Sequence, residues 1–423
     1  MTTSSPFALH QGVLHAEQVS LAKLARQHGT PLYVYSRHAL RQAWQSFQDG
    51  AAGRDVLVCY GMKANSNLAV LNEFRQLGAG FDIVSGGELA RALAVGADPA
   101  RIVFSGVGKQ VWEMQAALEA GVKCFNVESE DELRRLDEVA QGMGRQAPVS
   151  LRVNPDVDAH THPYISTGLK ENKFGVAIED ALRIYQHAAT MDGIRIVGVD
   201  CHIGSQITEA APYMDALGKL IDLIKALADH GIVLHHLDLG GGLGIRYTDE
   251  TPLAPRILLD QVFQTLEKHA LANLQLILEP GRSLTGNAGV LLTTVQYLKH
   301  SDARNFAIVD AAMNDLLRPT LYEAWHNVQP VQPRPMQDDT PRYDVVGPVC
   351  ESGDWLARDR QLALEQGDLL AIMSAGAYGF TMSSHYNSRP RAAEVMVDGD
   401  RAHVVRPREN IQALFASEAM LPD

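Results

Sequence analysis

The sequence is poor in cysteine and places what it has in no useful pattern: Cys59, Cys124, Cys201 and Cys350 are the only four in 423 residues. With no CxxC pair and no His-Cys cluster, the zinc-binding classes are set aside. The first three stand in or beside strand-like runs and read as buried apolar residues. An excess of basic charge is missing too. Lys and Arg number 37 against 50 Asp and Glu, a formal charge of -13. That balance favours solubility and argues against a general nucleic-acid or anionic-membrane surface, while leaving room for one local anion site. No uninterrupted apolar run approaches a membrane span, and Met1 to Gly12 holds no basic stretch leading into an apolar one. The expectation is a cytoplasmic enzyme with neither a membrane nor a nucleic acid as partner. Internal repeats and low-complexity tracts are lacking; the nearest is Gln329 to Arg342, polar and proline-rich, read as a surface loop.

What is present is an ordinary globular composition, 46% hydrophobic and 21% charged, over a length that suits two domains. Ala16 to His28 reads as a helix and Pro31 to Tyr35 as a short strand, an outlying piece. Arg37 to Gln48 then carries Leu40, Trp44 and Phe47 at helical spacing. From there strand-like runs alternate with amphipathic helices. Eight runs are expected, at 56–60, 81–84, 102–105, 122–127, 148–153, 194–201, 233–239 and 274–278. Ser85-Gly86-Gly87-Glu88 and Ser129-Glu130-Asp131-Glu132 read as capping boxes that start two of the helices. Eight strands with seven helices between them, and the 37–48 helix as the eighth, satisfy an α/β fold built on a (β/α)8 barrel of TIM type that begins on a helix. An open doubly wound sheet is the alternative, less favoured because no GxGxxG turn follows the first strand.

After Leu284 short β-like runs replace helices: Val290 to Leu298, Asn305 to Val309, Tyr343 to Val346, Leu369 to Met373 and Ala393 to Val397. The expected division is a barrel at 36–285 and a discontinuous, mostly antiparallel β domain, a sandwich or a barrel, made of 1–35 and 286–423. One barrel connection is long, Asn154 to Gly175, with His160, His162, Lys170 and Lys173. His160-Thr161-His162 looks like a metal-binding pair, but a metallohydrolase barrel would place such a pair on its first strand and add ligands at other strand ends. The segment reads as a lid, with no metal expected.

In such a barrel, chemistry gathers at the C-terminal ends of the strands. The first strand, Val56 to Tyr60, is apolar as a doubly buried parallel strand is, and Lys63 follows it. A lysine with its stem held by a rigid strand and its amine at the barrel mouth is a candidate Schiff-base nucleophile. Strand two carries Asp82; strand six ends in His202-Ile203-Gly204-Ser205, strand seven in Gly240-Gly241-Gly242, and strand eight in Glu279-Pro280-Gly281-Arg282. Each is weak alone. Glycines after strands seven and eight lie where barrels bind phosphate through backbone amides. A phosphate cradle beside a Schiff-base lysine points to pyridoxal 5'-phosphate, with Glu279 placed to hold the ring-nitrogen proton and His202 to support the ring face.

These stretches, from Tyr60-Gly61-Met62-Lys63-Ala64-Asn65 through His202-Ile203-Gly204-Ser205, Gly240 to Gly242 and Glu279 to Arg282 to Cys350-Glu351-Ser352-Gly353-Asp354 and Ala377-Tyr378-Gly379, resemble the fold-type III pyridoxal-phosphate decarboxylases. Within them the likeness is greatest to the diaminopimelate-decarboxylating branch, through Cys350 to Asp354, Arg318-Pro319-Thr320-Leu321-Tyr322 and the lid from Ser166 to Gly175. The resemblance implies decarboxylation of meso-2,6-diaminopimelate to L-lysine, with Lys63 as the Schiff-base lysine, Glu279 on the pyridinium and His202 stacked on the ring. It implies Asp82, Ser205, Gly241, Gly242, Gly281, Arg282 and Tyr378 around the cofactor, and Arg282, Arg318, Tyr322, Glu351 and Tyr378 around the substrate. Cys350 would protonate the carbanion. Cys350 and Glu351 would come from a second subunit, which makes a homodimer with shared sites. A distal carboxylate on the substrate suits arginine's planar fork, and Arg318 and Tyr322 share a face if their segment is helical. Another basic amino-acid decarboxylase and an amino-acid racemase are the enzyme alternatives. A pyridoxal-phosphate carrier is the non-enzymatic one.

Overall fold

The structure is a computed structural model that describes residues 6–158 and 172–422. His160, His162, Lys170 and most of the expected lid lie outside the described residues. The chain divides into two compact units. One holds residues 43–245 and 251–284, the other 1–42, 246–250 and 285–423.

The first unit is a barrel of eight parallel strands: β1 (Val56–Gly61), β2 (Gly80–Ile83), β3 (Ile102–Phe104), β4 (Cys124–Val127), β5 (Ala147–Asn154), β6 (Ile194–Asp200), β7 (His236–Asp238) and β8 (Gln275–Leu278). Each pairs with the next. The ring closes where Leu276, Ile277 and Leu278 of β8 meet Val56, Leu57 and Val58 of β1. All eight coincide with the expected runs to within about three residues at either end, because strands buried on both faces are apolar throughout. Leu57, Cys59, Val103, Cys124, Val197 and Ile277, drawn from five strands, form one buried cluster, which is possible only in the barrel's interior. Three of the four cysteines are buried and unpaired, as expected, and Cys350 is exposed.

Among the described residues seven α-helices lie between the strands, and Arg37–Ala51 precedes β1. Ser85 and Ser129 cap Gly86–Ala94 and Glu130–Gly142 by accepting from Glu88 N and Glu132 N, both at 3.2 Å. The return bonds reach one residue further than a simple capping box: Glu88 Oε2 accepts from Val84 N at 2.7 Å and Glu132 Oε2 from Glu128 N at 3.0 Å. These glutamates thereby stitch the strand exit as well as the helix start.

The second unit is a β-sheet of mixed but mainly antiparallel pairing. Its order is Trp355–Gln361, Arg342–Val346, Asn305–Val309, Gly289–Lys299, Leu32–Ser36, Ala393–Asp398 and Arg401–Arg406, with Leu369–Ile372 also on Gly289–Lys299. The early strand Leu32–Ser36 is interior. It runs antiparallel to Gly289–Lys299 and parallel to Ala393–Asp398. Its alternation serves two cores. Tyr33 and Tyr35 pack with Leu291, Leu356 and Ile372, while Leu32 and Val34 pack with Leu21, Leu24, Leu292 and Val395. The helix expected over Ala16 to His28 is shorter. Val13–Ala16 and Val19–Ser20 are strands joined by a turn at Glu17, φ 51°, and the helix is Leu21–His28, capped by Ser20. Ser20 is a favoured N-cap, and the β-branched Val19 before it suits a strand.

One interior histidine gives the barrel a pH response. His236, 2% exposed, lies against Gly198 of β6, where an added Cβ would come within 2.0 Å of its Nε2. Burial pushes its pKa down to about 3, with Lys123 and His235 adding to the shift. The unfolded chain takes up a proton as pH falls through about 6.5 while the folded one does not, so stability drops by about 2 kcal/mol between there and pH 5. In urea titrations His236→Gln should lose that share of the acid slope; an unaltered slope would mean that His236 is charged in the barrel.

Candidate active site

The site residues of the barrel arrive from five strand ends at its C-terminal rim. β1 and β2 are in register at Gly61 and Asp82, which brings the loop after β1 over Asp82. Lys63 Nζ donates to Asp82 Oδ2 at 2.9 Å. Asp82 is fully buried whereas the lysine side chain keeps 38% of its exposure, so the charged end of Lys63 stands at the mouth with its partner below. Gly61 approaches β8 closely: its N donates to Pro280 O at 3.1 Å, and a Cβ there would be 3.5 Å from Glu279 O and 3.6 Å from Gly281 Cα.

After β7 the chain turns through three glycines. Gly240 N donates to Asp238 Oδ1 at 2.8 Å, and Gly241 N to His202 Nδ1 at 3.1 Å. Gly242 has φ 99°, and a Cβ on Gly241 would lie 2.2 Å from Glu279 O. Only glycine allows this approach between backbones. Arg282, buried after β8, donates through Nε and Nη2 to Ser205 Oγ at 3.3 and 3.0 Å. Lys63, Asp82, His202, Ser205, Gly241, Gly242, Glu279, Gly281 and Arg282 therefore share one rim, with backbone turns beside a cation, the composition an anion cradle requires.

The electrostatics beneath this rim are unusual. His202 accepts at Nδ1 and so carries its proton on Nε2. Burial, then Arg152 and Lys63, hold its pKa well below the ordinary histidine value. Glu279 is buried; its Oε1 accepts from Asn126 Nδ2 at 3.3 Å and Ser105 Oγ at 3.4 Å. Burial first, then Asp238, Asp82 and Asp200, push its pKa well above the usual carboxylate range. Ser105, Asn126, Asp200 and Asp238 escaped the sequence reading. Their one signal was a polar residue inside or just past an apolar parallel strand, as in Gly198-Val199-Asp200 and His236-Leu237-Asp238. Arg152 and Glu128, an ion pair at 3.2 Å, also escaped it.

The β unit carries the other residues. Arg318–Tyr322 is a short helix, so Arg318 and Tyr322 share a face, the guanidinium 6.0 Å from the Tyr322 ring centre and 5.1 Å from that of Tyr247. Arg318 is buried and its Nε donates to His326 Nε2 at 3.3 Å, while His326 Nδ1 bonds Met373 O at 2.9 Å, which fixes a neutral imidazole. The turn bearing Cys350 and Glu351 is pinned by Asp354, whose carboxylate accepts from Met313 N at 2.6 Å and Val349 N at 2.7 Å. Thr320 Oγ1 donates to Gly353 O at 2.7 Å, so helix and turn are tied together. Cys350 is exposed, and Glu351 accepts a hydrogen bond from Tyr386. Tyr378 sits on a separate loop with φ 55°.

Residues 37–286 match the family described as pyridoxal-dependent decarboxylase, pyridoxal binding domain. The chain belongs to the pyridoxal-dependent decarboxylases. A diaminopimelate decarboxylase of Pseudomonas aeruginosa is 58% identical over 98% of this chain and 99% of its own length. Among solved structures, a diaminopimelate decarboxylase of M. jannaschii in complex with L-lysine has a TM-score of 0.92 at 36% identity, covering 98% of each chain. One from Helicobacter pylori, also complexed with L-lysine, has a TM-score of 0.90 at 42% identity, covering 94% of this chain and 98% of that one. The family's cofactor is pyridoxal phosphate, and this decarboxylase's rim fits it. Backbone turns at Gly241, Gly242 and Gly281 with Ser205 and the Arg282 guanidinium suit a phosphate, and Asp82 Oδ1 and Asp238 Oδ2 are buried oxygens without a hydrogen-bond partner among the described residues.

Proton NMR of labelled histidines checks the dryness of the rim. An ordinary histidine titrates near pH 6.5; His202 should keep the shifts of a neutral ring through and below that pH. A midpoint at the ordinary value would mean that water reaches the ring.

Proposed function

We propose that this chain catalyses the pyridoxal-phosphate-dependent decarboxylation of meso-2,6-diaminopimelate to L-lysine and carbon dioxide. The observation that carries the reading is the end-to-end likeness to decarboxylases of that name, 58% identical over 98% of the chain. Bound at the rim, pyridoxal phosphate would supply an electron sink for the pair left at Cα when carbon dioxide departs. Lys63 would hold it covalently, with Asp82 orienting the amine. Neutral His202, its Nδ1 fixed by Gly241 N, would support the ring face, and Glu279 would hold the proton on the ring nitrogen. Ser205, Gly241, Gly242, Gly281, Arg282 and Tyr378 would receive the phosphate.

Arg318, Tyr322, Glu351, Tyr378 and Arg282 are assigned to the substrate. A buried guanidinium flanked by two tyrosines and a neutral histidine suits a carboxylate, and the distal carboxylate is what separates diaminopimelate from ornithine. The thiol of Cys350 is the proton donor that replaces the lost carboxyl group at Cα. The working form is a homodimer in which Cys350 and Glu351 of a second copy complete the site. Residues 36–285 form the cofactor-binding domain, with 1–35 and 286–423 as the β-rich one. The cytoplasm is the assigned compartment. Four unpaired cysteines, one of them exposed, suit reducing conditions, and among the described residues no helix is long and apolar enough to cross a membrane.

The deciding assay measures carbon dioxide from meso-diaminopimelate, its stereoisomers, ornithine, arginine and lysine. Turnover of the meso compound alone is expected, and preference for ornithine would sink the assignment. Within that assay Arg318→Ala should raise KM by about ten- to a hundredfold, the worth of one charged hydrogen bond of roughly 1.5–3 kcal/mol, with cofactor affinity little changed. If cofactor affinity falls instead and KM holds, Arg318 does not bind substrate.

The shared site has its own test. Lys63→Ala and Cys350→Ala homodimers should both be nearly inactive. Refolded together, about half of the dimers are mixed, each with one intact site, so about a quarter of wild-type activity should return. No recovery despite verified mixed dimers rules the shared site out.

A further inference from the structure

Beside the expected Asp82 and Glu279, the barrel's upper end holds two further buried carboxyl groups, Asp200 and Asp238. Asp200 ends β6, Asp238 ends β7 and Glu279 follows β8. Asp200 and Asp238 are register partners, and one oxygen from each of the three lies within 4.8 Å of the others. All are buried, at 2%, 0% and 5% exposure. Their hydrogen bonds are incomplete. Gly240 N serves Asp238 Oδ1, while Asn126 and Ser105 serve Glu279 Oε1. Asp238 Oδ2 and Asp200 Oδ1 have no partner among the described residues, although Asp238 stands within side-chain hydrogen-bonding reach of Glu279.

The nearest cations offset burial only in part: Lys63 lowers Glu279 and Arg152 lowers Asp200, each by less than burial raises it. Lys63 is committed to Asp82 and Arg152 to Glu128. His202 and His236 are kept neutral, chiefly by burial. The thiols of Cys59, Cys124 and Cys201 are pushed up by burial and stay protonated. Two ionised carboxylates offer only acceptors to each other. In a dry interior they repel, and one proton between them turns that repulsion into a charge-assisted hydrogen bond.

We infer that Asp238 and Glu279 share one proton, and that once a ring nitrogen's positive charge faces Glu279 the proton lies on Asp238, which then donates to the Glu279 carboxylate and fixes it toward that nitrogen: a positioning residue for the reaction. The pair then carries a single negative charge, matching the single positive charge of a pyridinium. Burial favours the protonated form of all three, and without that positive charge Glu279 is the more strongly raised of the pair, its hydrogen bond lowering Asp238. Burial and then neighbouring acids raise Asp200 and Glu279 well above the usual range, and burial is the main cause that brings Asp238 up to about 7. The positioning role rests on the assignment of Glu279 to the ring nitrogen.

The experiment uses infrared spectroscopy of the full chain, with and without pyridoxal phosphate, carrying 13C-labelled aspartate or glutamate, beside the variant Asp238→Asn. An asparagine keeps the acceptor for Gly240 N and donates to Glu279 without needing a proton. Wild type should show protonated-carboxyl absorbance at pH 7 that shifts with either label. Asp238→Asn should lose the Asp238 share of it while binding pyridoxal phosphate within about threefold of wild type, with the absorption spectrum of the bound cofactor unchanged. Three results overturn the inference: no protonated carboxyl in wild type, cofactor binding weakened by more than about tenfold in Asp238→Asn, or one stoichiometric divalent cation on the three carboxyls of the purified protein. Normal turnover and spectrum in Glu279→Gln would overturn the positioning role through its premise. The infrared result on the cofactor-free chain separates that failure from failure of the shared proton.

Discussion

Closure of a ring of parallel strands is the constraint from which the rest of the barrel unit follows. The pairing of β8 with β1 closes the ring, and because each strand is parallel to the next all eight exits fall on one rim. Segments more than two hundred residues apart, Lys63 and Glu279 with its following turn, thereby become neighbours without any long connection between them. The backbone approach at Gly61 and Gly241 is then a matter of side-chain volume. At Gly241 the neighbouring strand end already occupies the place of a Cβ, whereas at Gly61 a Cβ would just touch it.

The same closure creates a dry interior in which charge is expensive. The barrel meets that expense in two ways. Some charges are matched by direct partners, as Lys63 is by Asp82, Arg152 by Glu128 and Lys109 by Glu132. Others are removed by protonation or its absence, as in neutral His202 and His236 and the raised carboxyls. A buried group whose ionisation is biased this strongly by its surroundings is suited to holding a proton for a ligand, and a half-buried rim lysine is suited to receiving that ligand.

Much of this was legible in the sequence, and the reasons are physical. Strands buried on both faces are apolar without interruption, so the barrel's eight runs stood out, as did the glycines and charged residues that break them at their ends. The early strand Leu32–Ser36 was visible for the same cause. Trp355–Gln361 and Arg401–Arg406 were not visible, because they are charge-rich, largely solvated strands at the two ends of the sheet, where pairing is set by a neighbour and not by their own pattern. Asp200 and Asp238 were missed because a single acid beside an apolar run resembles a turn residue. Only the pairing of β6 with β7 and of β7 with β8 shows that two such acids face each other and Glu279. Tyr247 and His326 were beyond sequence reasoning for a similar reason: what they do depends on Arg318, and nothing local announces it.

The interior placement of Leu32–Ser36 also bears on how the chain is made. One of its neighbours in the sheet is supplied by residues near 290 and the other by residues near 395. A ribosome delivers the N-terminal strand first and its second neighbour almost last. Residues 43–284 can close their barrel while this strand, five buried side chains long, waits with both edges unpaired. The emerging chain is thus exposed to strand-to-strand association for nearly the whole of its synthesis.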